Sequence, residues 1–323
     1  MRRSFVGLVA VVVVCVSCSA LAFCQSVIAT IAVGNEPIYL AADQKTNRVY
    51  VSNQADDTVS VIDGATNKVL STVRVGHYPN GVAVNPNTNT IYVANLTGGS
   101  LSIINGKKLT TSTLWLGSSP AKVAVNPFTN RVYVTLEDQS GFLDVISGEE
   151  RKLVASIPVR PYPLSVAIDT DSNQVIVADF LCGCGQVSVV DGATDAVMNT
   201  IQLPGATLVG GVAMDWEHDR AYATDENRGF YVIDSITGTV LGTVGGLDYP
   251  NEVAAIPGTT LAVEPDTGSN RAIFIDASTL GVKKRVRVGN SPTGVAVNPT
   301  TRRVYVANRR SNTVSVIQLP EGW

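Results

Sequence analysis

Short runs of alternating apolar and polar residues fill the chain from residue 26 onwards. Examples are GVAVN (81–85), TIYVAN (90–95) and SLSII (100–104), and turn-forming segments such as DGATNK (63–68) separate such runs. Alternation with a period of two is typical of β-strands, and clusters of Asn, Asp, Gly and Pro are typical of tight turns. No stretch after residue 30 repeats its apolar residues with helical spacing. We therefore predict an all-β protein with almost no helix.

The same group of four strands recurs along the chain. A Pro followed by small and apolar residues marks the first strand of six units, and Val209 takes its place in the fifth unit of seven. The six prolines are Pro37, Pro79, Pro120, Pro163, Pro250 and Pro292. These markers lie 41 to 46 residues apart, a period typical of the four-stranded blade of a β-propeller. The sequence therefore predicts a seven-bladed β-propeller with four-stranded blades.

The two ends of the chain predict how the ring closes. The seventh unit ends after NTVSVIQLP (312–320) and lacks a fourth strand. Ahead of the first unit, SVIATIAVG (26–34) matches the fourth strand KVLSTVRVG (68–76). We predict that the N-terminal strand completes the last blade, because closure through both termini removes the exposed edges of an open array.

The second strand of the unit carries a recurring motif. It reads RVYVSN (48–53), TIYVAN (90–95), RVYVT (131–135) and RVYVAN (303–308), and TVSVIDGATNKVLSTVRVG (58–76) follows the first copy. On these motifs the chain resembles the YVTN repeat family of exported bacterial and archaeal β-propellers, which includes the YncE-like proteins. The resemblance covers residues 26 to 320 and implies the propeller fold and export, but no particular activity. RAYATD (220–225) and TLAVEP (260–265) depart from the motif in units five and six.

The first 22 residues have the pattern of a secretory signal peptide. Arg2 and Arg3 precede an apolar run over residues 5–16, and an Ala-Leu-Ala triplet ends at residue 22. Small residues at alternate positions are typical of a cleavage site, and the apolar run is too short for a comfortable membrane span. We predict a mature chain of residues 23–323 that forms one propeller domain, has no membrane span and is periplasmic or extracellular. Acylation of Cys18 or Cys24, which would anchor the protein to a membrane, is the alternative.

The charge balance argues against a nucleic-acid partner. The chain has 24 Lys and Arg against 27 Asp and Glu, a formal net charge of −3, and loss of the two arginines with the signal makes it more acidic. Nucleic-acid binding requires a basic surface to neutralise phosphates. The basic residues over 283–287 and 302–310 are interpreted as protection of outer strands rather than as a phosphate-binding patch.

One position of the repeat predicts a ring of polar side chains. In the repeat alignment, the residue that ends the second strand is Asn53, Asn95, Leu136, Asp179, Asp225, Glu264 and Asn308 in blades one to seven. This strand end lies on the face where propellers hold ligands at the mouth of the central channel. Two interpretations stay open, because Asn and Asp at strand ends also stabilise the following turn. We predict a ligand-binding face here.

Three consecutive carboxylates in this ring raise a second hypothesis. Asp179, Asp225 and Glu264 are hard oxygen ligands of the kind that a divalent cation such as Ca²⁺ prefers. The protein would then be a cation-dependent lactonase or lyase-type enzyme, in which the metal polarises a carbonyl. No nucleophile elbow, zinc-protease motif or phosphate-binding loop occurs in the sequence. The favoured prediction is therefore a binding or interaction module without catalysis.

The loops from fourth to first strand add further candidates on the same face. Tyr78, Tyr162 and Tyr249 occupy one repeat position, and His77 precedes the first of them. Three such rings can stack on a sugar or a peptide, or they can pack against the residue that follows. The expected partner is a protein, a cell-surface component or a small polar ligand, bound by a monomeric propeller.

The segment LCGCG (181–185) is unusual for this repeat. In an oxidising compartment Cys182 and Cys184 are predicted to form a strained disulfide that stiffens the loop. Binding of copper or zinc by two thiolates is the alternative, and it requires ligands from a neighbour.

Overall fold

The computed structural model of the chain describes residues 26–180, 183, 185–227 and 229–323. Its β-strands, numbered β1 to β28 along the chain, form seven four-stranded antiparallel sheets. This arrangement confirms the predicted seven-bladed β-propeller. Helical structure in the described residues is limited to two single 3-10 turns, Trp216–His218 and Arg309–Ser311.

In blades one to six the strands run from the channel outwards in chain order. Blades one and two contain β2 (Pro37–Asp43), β3 (Arg48–Asn53), β4 (Thr58–Asp63), β5 (Lys68–Arg74), β6 (Pro79–Asn85), β7 (Thr90–Asn95), β8 (Ser100–Asn105) and β9 (Thr111–Trp115). Blades three and four contain β10 (Pro120–Asn126), β11 (Arg131–Leu136), β12 (Phe142–Ser147), β13 (Lys152–Pro158), β14 (Pro163–Asp169), β15 (Gln174–Asp179), β16 (Gln186–Asp191) and β17 (Ala196–Gln202).

The last three blades follow the same order with one exception. Blades five and six contain β18 (Val209–Asp215), β19 (Arg220–Asp225), β20 (Gly229–Asp234), β21 (Val240–Val244), β22 (Ala254–Ala255), β23 (Leu261–Asp266), β24 (Arg271–Asp276) and β25 (Gly281–Arg287). Blade seven contains β26 (Pro292–Asn298), β27 (Arg303–Asn308), β28 (Thr313–Gln318) and, outermost, β1 (Val27–Ala32). The N-terminal strand β1 pairs with β28 as predicted, so the ring closes through both ends of the described chain.

The recurring motif forms the second strand of the blade and fills the spaces between blades. Successive side chains of a strand point to opposite faces of the sheet. In blade one, Val49 and Val51 therefore pack against blade seven, whereas Tyr50 packs against blade two. All three side chains are fully buried. The motif recurs because this packing recurs between blades.

Asparagines join neighbouring blades on the face opposite the predicted ligand-binding face. Asn85, at the end of an inner strand, donates through Nδ2 to Oδ1 of Asn130 in the next blade, at 2.8 Å. The accepting residue has a left-handed backbone, with φ of 54°, and Asn adopts this conformation more readily than most residues do. Asn126 and Asn298 make equivalent bonds to the blades that follow them.

Candidate functional site

The three asparagines of the predicted ring are buried and bonded to their own blades. Asn53, Asn95 and Asn308 have no exposed surface. In each, Nδ2 donates to the hydroxyls of the residues five and seven positions later, at 2.9 to 3.1 Å. Oδ1 of Asn308 also accepts the N–H of Gly289 at 3.0 Å. These side chains tie the second and third strands together, and a role in ligand binding stays a prediction.

Asp225 uses its carboxylate to hold the loop that enters its blade. Oδ2 accepts the N–H groups of Thr207 and Leu208, both at 2.6 Å, and Oδ1 accepts that of Asn227 at 3.0 Å. Asp179, at the same position of blade four, is also fully buried. Burial raises the pKa of Asp179 to about 7, and Arg160 and a hydrogen bond from Ser188 oppose the shift.

The repeat alignment was wrong for blade six. Pro250 bridges Asp266, as Pro37 pairs with Asn53 in blade one, so Asp266 and not Glu264 ends the second strand. Short inner strand β22 and the irregular segment before it obscure this register in the sequence. Oδ2 of Asp266 accepts the N–H of Asp248 at 2.6 Å. Asp266 therefore holds its entering loop as Asp225 does.

Glu264 lies two residues further inside the same strand. Val51, Val93, Val134, Val177 and Val306 occupy its position in five other blades. The side chain has no exposed surface, and neither carboxylate oxygen has a hydrogen-bond partner among the residues that the structure describes. Burial raises the pKa of Glu264 well above its ordinary value, the charge of Asp266 adds to the rise, and that of Arg285 opposes it.

The cation hypothesis gains no geometry from this arrangement. Within the described ranges, no three His, Cys, Asp or Glu side chains form a group that could hold a metal ion. The oxygens of Asp225 face backbone amides, and Glu264 lies inside the sheet. A divalent cation and the enzymatic alternative stay predictions.

The three predicted tyrosines share an unusual backbone conformation on the predicted face. Tyr78, Tyr162 and Tyr249 have φ of 58°, 55° and 64°, which places each in the left-handed region that bulky residues rarely adopt. Tyr249 is half exposed, and a hydrogen bond to Glu226 raises the pKa of its phenol. His77 is largely exposed, and its Nδ1 lies 2.9 Å from Oδ1 of Asp57.

Side chains from three blades meet across the central channel. Lys122 in β10 extends its ammonium to 3.3 Å from the ring centroid of Tyr39 in blade one. The same Nζ contacts Oε2 of Glu252 in blade six. All three side chains are largely buried, with Tyr39 7%, Glu252 6% and the Lys122 side chain 12% exposed. Burial lowers the pKa of Lys122, whereas the carboxylate and the aromatic ring stabilise its charged form.

Glycines make room for this cluster. The three residues of the cluster occupy the same repeat position in blades one, three and six. In the blade that precedes each of them, this position holds a Gly. A Cβ at Gly81 would lie 2.6 Å from Cα of Lys122, and a Cβ at Gly211 would lie 2.8 Å from Cα of Glu252. Both distances are shorter than real Cβ contacts allow. The large side chains of the cluster therefore alternate with glycines around part of the channel wall. The glycines allow neighbouring inner strands to lie close together.

A second ring of residues lies at the mouth of the channel, one position beyond the residue that ends the second strand of each blade. Its backbone N–H groups each donate to a carbonyl of the loop that enters the same blade, at 2.8 to 3.2 Å. The members of this mouth ring are Gln54, Leu96, Glu137, Phe180, Glu226, Thr267 and Arg309. Arg309 bonds to Oε2 of Glu36 at 2.9 Å and to Oε1 of Gln54 at 3.2 Å.

Three charges of the mouth ring act on the Tyr39 phenol in the channel. Glu137 and Glu226, from blades three and five, raise the pKa of the Tyr39 phenol beyond the effect of its burial, and Arg309 from blade seven opposes them. Burial raises the pKa of Glu137 and that of Glu226, where a hydrogen bond from Tyr249 opposes the shift. The Glu137 side chain has no hydrogen-bond or ion-pair partner among the described residues. The mouth thus holds two partly buried carboxylates and no cation paired with either among these residues.

Sequence reasoning missed this arrangement by one residue. The repeats differ in charge at the mouth ring, with Glu137, Glu226 and Arg309 at equivalent positions, and that difference is a readable signal. The sequence did not indicate that Lys122 and Glu252 meet, because they lie 130 residues apart on opposite sides of the ring. The predicted signal peptide, Cys18 and Cys24 as lipidation sites, and the Cys182–Cys184 disulfide lie outside the described residues.

Comparisons with known proteins support the propeller fold and the predicted resemblance to YncE-like proteins. No family model matches the chain. It is 31% identical over 172 residues to the uncharacterized protein YncE of Salmonella typhi and to that of Salmonella typhimurium, an alignment that covers 49% of this chain. The chain spans about half the length of these curated relatives, 46% of each. This similarity and the seven-bladed fold confirm the predicted resemblance to YncE-like propellers.

A solved structure gives the same result for the fold. Hydrazine synthase of Kuenenia stuttgartiensis superimposes with a TM-score of 0.81, over 88% of this chain and 96% of that one, at 21% identity. At this identity the likeness concerns the fold alone. Among the described residues, no helix is long and apolar enough to cross a membrane.

Proposed function

We propose that this YncE-like propeller is an exported binding module that captures a basic group of a partner at the mouth of its central channel. The observation that carries the proposal is the pair of partly buried carboxylates, Glu137 and Glu226, in the mouth ring. Burial of a carboxylate without a cation costs free energy, which an incoming ammonium or guanidinium would recover. A Lys or Arg side chain of a protein partner, or a small amine, has this chemistry.

The contacts in the channel below the mouth favour binding of a single group at the mouth over passage of a ligand through the ring. Lys122, Tyr39 and Glu252 bridge the channel and already satisfy one another. A ligand would therefore rest on the Tyr39 phenol with Glu137 and Glu226 around it, and Tyr249 would orient the second carboxylate.

The test uses a fluorescein-labelled Gly-Arg-Gly-Lys-Gly peptide and a second peptide with Gln in place of Arg and Lys. Fluorescence anisotropy should show binding of the basic peptide alone, weakened by added salt because exposed charge attraction is screened. The double variant E137Q/E226Q should lose at least about tenfold in affinity, as expected for loss of desolvated charge pairs.

The matched control removes two carboxylates from the opposite face. Glu149 and Glu150 lie in the turn after β12 and are exposed, and E149Q/E150Q changes the net charge equally. This variant should bind the basic peptide as the wild type does. Equal losses in both double variants would mean that net charge alone attracts the peptide, and that result would contradict a site at the mouth.

Export is a separate part of the proposal. It is supported by the composition of residues 1–22 and by the implied family location. Intact-mass analysis of the protein from its native source should show a chain that begins at Phe23. A mass that retains residue 1, or a lipid on Cys18 or Cys24, would contradict cleavage at residue 22.

A further inference from the structure

A single exposed tryptophan marks the outer edge of blade two. Trp115 ends the outer strand β9 and is 74% exposed. The equivalent positions of five other blades hold Arg74, Pro158, Gln202, Arg287 and Ala32. Those residues are polar or small, as expected at an exposed sheet edge. Packing of the blade therefore does not require an aromatic ring here.

The tryptophan lies beside a groove between blades one and two. The groove has a volume of about 320 Å³, and Arg74, His77, Thr111 and Thr113 line it together with Trp115. Alternate residues of a strand share a face. Leu114 packs into the core between blades two and three, so Thr113 and Trp115 face the other way, toward blade one.

The polar groups of this groove suit a ligand rich in hydroxyls. Thr111 Oγ1 donates to the carbonyl of Arg74 at 3.2 Å, which fixes the two outer strands against each other. The Arg74 guanidinium supplies only donors, whereas a threonine hydroxyl both donates and accepts. His77 Nδ1 is engaged by Asp57 at 2.9 Å, so Nε2 is the ring nitrogen left for a ligand.

We propose that the groove between β5 and β9 is a carbohydrate-binding site in which a sugar ring stacks on Trp115. Sugars present a C–H face that packs on an aromatic ring and a rim of hydroxyls that need donors and acceptors. An exposed tryptophan bordered by Arg74, Thr113 and His77 supplies both. The site lies on the outer edge of the propeller, so it does not depend on the mouth of the channel.

Intrinsic fluorescence tests the proposal directly, because the chain has only three tryptophans. Trp115 is 74% exposed, Trp216 is 44% exposed and Trp323 is partly buried. The probes are cellotriose, chitotriose and trigalacturonate. At least one should change the tryptophan emission of the wild type saturably. Isothermal titration calorimetry, which does not depend on Trp115 as reporter, should show the affinity for that probe reduced up to about tenfold in W115A, as expected for loss of an aromatic stacking partner.

The matched control is W216A, which removes a half-exposed tryptophan from the opposite face. It should retain the saturable response, and thermal unfolding should show that both variants are folded. A preference for trigalacturonate that R74Q abolishes would support an acidic sugar, and a response to the neutral probes would support a neutral one. No saturable response to any probe in the wild type, or an affinity by calorimetry that is unchanged in W115A, would overturn the proposal.

Discussion

Two glutamates buried in this propeller, Glu252 and Glu264, differ in how their charge is accommodated. Glu252 in the channel contacts the ammonium of Lys122, which also lies over the Tyr39 ring. Glu264, inside blade six, has no hydrogen-bond partner on either oxygen within the described part of the chain, and its pKa is raised well above the ordinary value. The channel therefore stabilises a carboxylate with a counter-charge, whereas burial in the blade disfavours the charged form of Glu264 and raises its pKa.

The largest expected effect follows from breaking the channel pair. K122M leaves Glu252 buried without its cation, which should lower the free energy of unfolding by about 3–5 kcal/mol. Urea unfolding of the wild type and the variant measures the loss. The double variant K122M/E252M should recover most of it, because no unpaired charge remains. A single variant as stable as the wild type would contradict the account of the channel.

Replacing the unpaired glutamate should have the opposite sign. E264V installs the residue of five other blades and should raise the free energy of unfolding at pH 8 by about 1–3 kcal/mol, the cost of a buried polar group without a partner. The control is E150V, an exposed position where no comparable gain is expected. A loss of stability in E264V would contradict a buried carboxyl without a partner at this position.

The same substitution should also change the dependence of stability on pH. The folded pKa of Glu264 is raised, so its contribution to stability is fully present below the pKa of an ordinary Glu and is lost as the pH rises through the folded value. The stability gap between E264V and the wild type should therefore widen from pH 4 to pH 8. Urea unfolding at several pH values measures it, and a gap that stays constant or narrows would contradict a raised pKa.

The smallest effect is expected at the surface. The His77 side chain, which contacts Asp57, is 70% exposed. Exposed ion pairs contribute about 0–1 kcal/mol to the free energy of unfolding. H77A should therefore unfold within that range of the wild type, far less than K122M does. Thermal unfolding at low and high salt provides the check. A larger loss would place His77 among the structural residues of the fold.

The repeat made the architecture predictable, down to the N-terminal strand that closes the last blade. Strand boundaries depend on local alternation and turn residues, and the pairing of Pro37 with Asn53 repeats wherever the spacing does. Blade six broke the prediction because its inner strand is reduced to Ala254–Ala255. The alignment then placed Glu264 where Asp266 lies, although the Asp266 carboxylate accepts the N–H of Asp248 and the Glu264 carboxyl has no hydrogen bond to the described residues.

The site was less predictable because its residues come together only through closure of the ring. The position of Asn53 was identified correctly, but the fully buried side chain bonds to its own blade. The charges at the mouth belong to the next residue in each blade, such as Glu137 and Glu226. No local pattern indicates that these two and Tyr39 share one electrostatic environment.

One measurement tests the proposed mouth most directly. Carbon-13 NMR of protein labelled at the side-chain carboxyl carbon of glutamate can follow the titration of Glu137 and Glu226. The E137Q and E226Q variants assign the two signals. In the free protein, burial should hold both pKa values above that of an exposed Glu. Saturating Gly-Arg-Gly-Lys-Gly peptide should lower both, because a bound cation favours the carboxylate. Ordinary pKa values in the free protein, or values unchanged by the peptide, would contradict a basic group bound at the mouth.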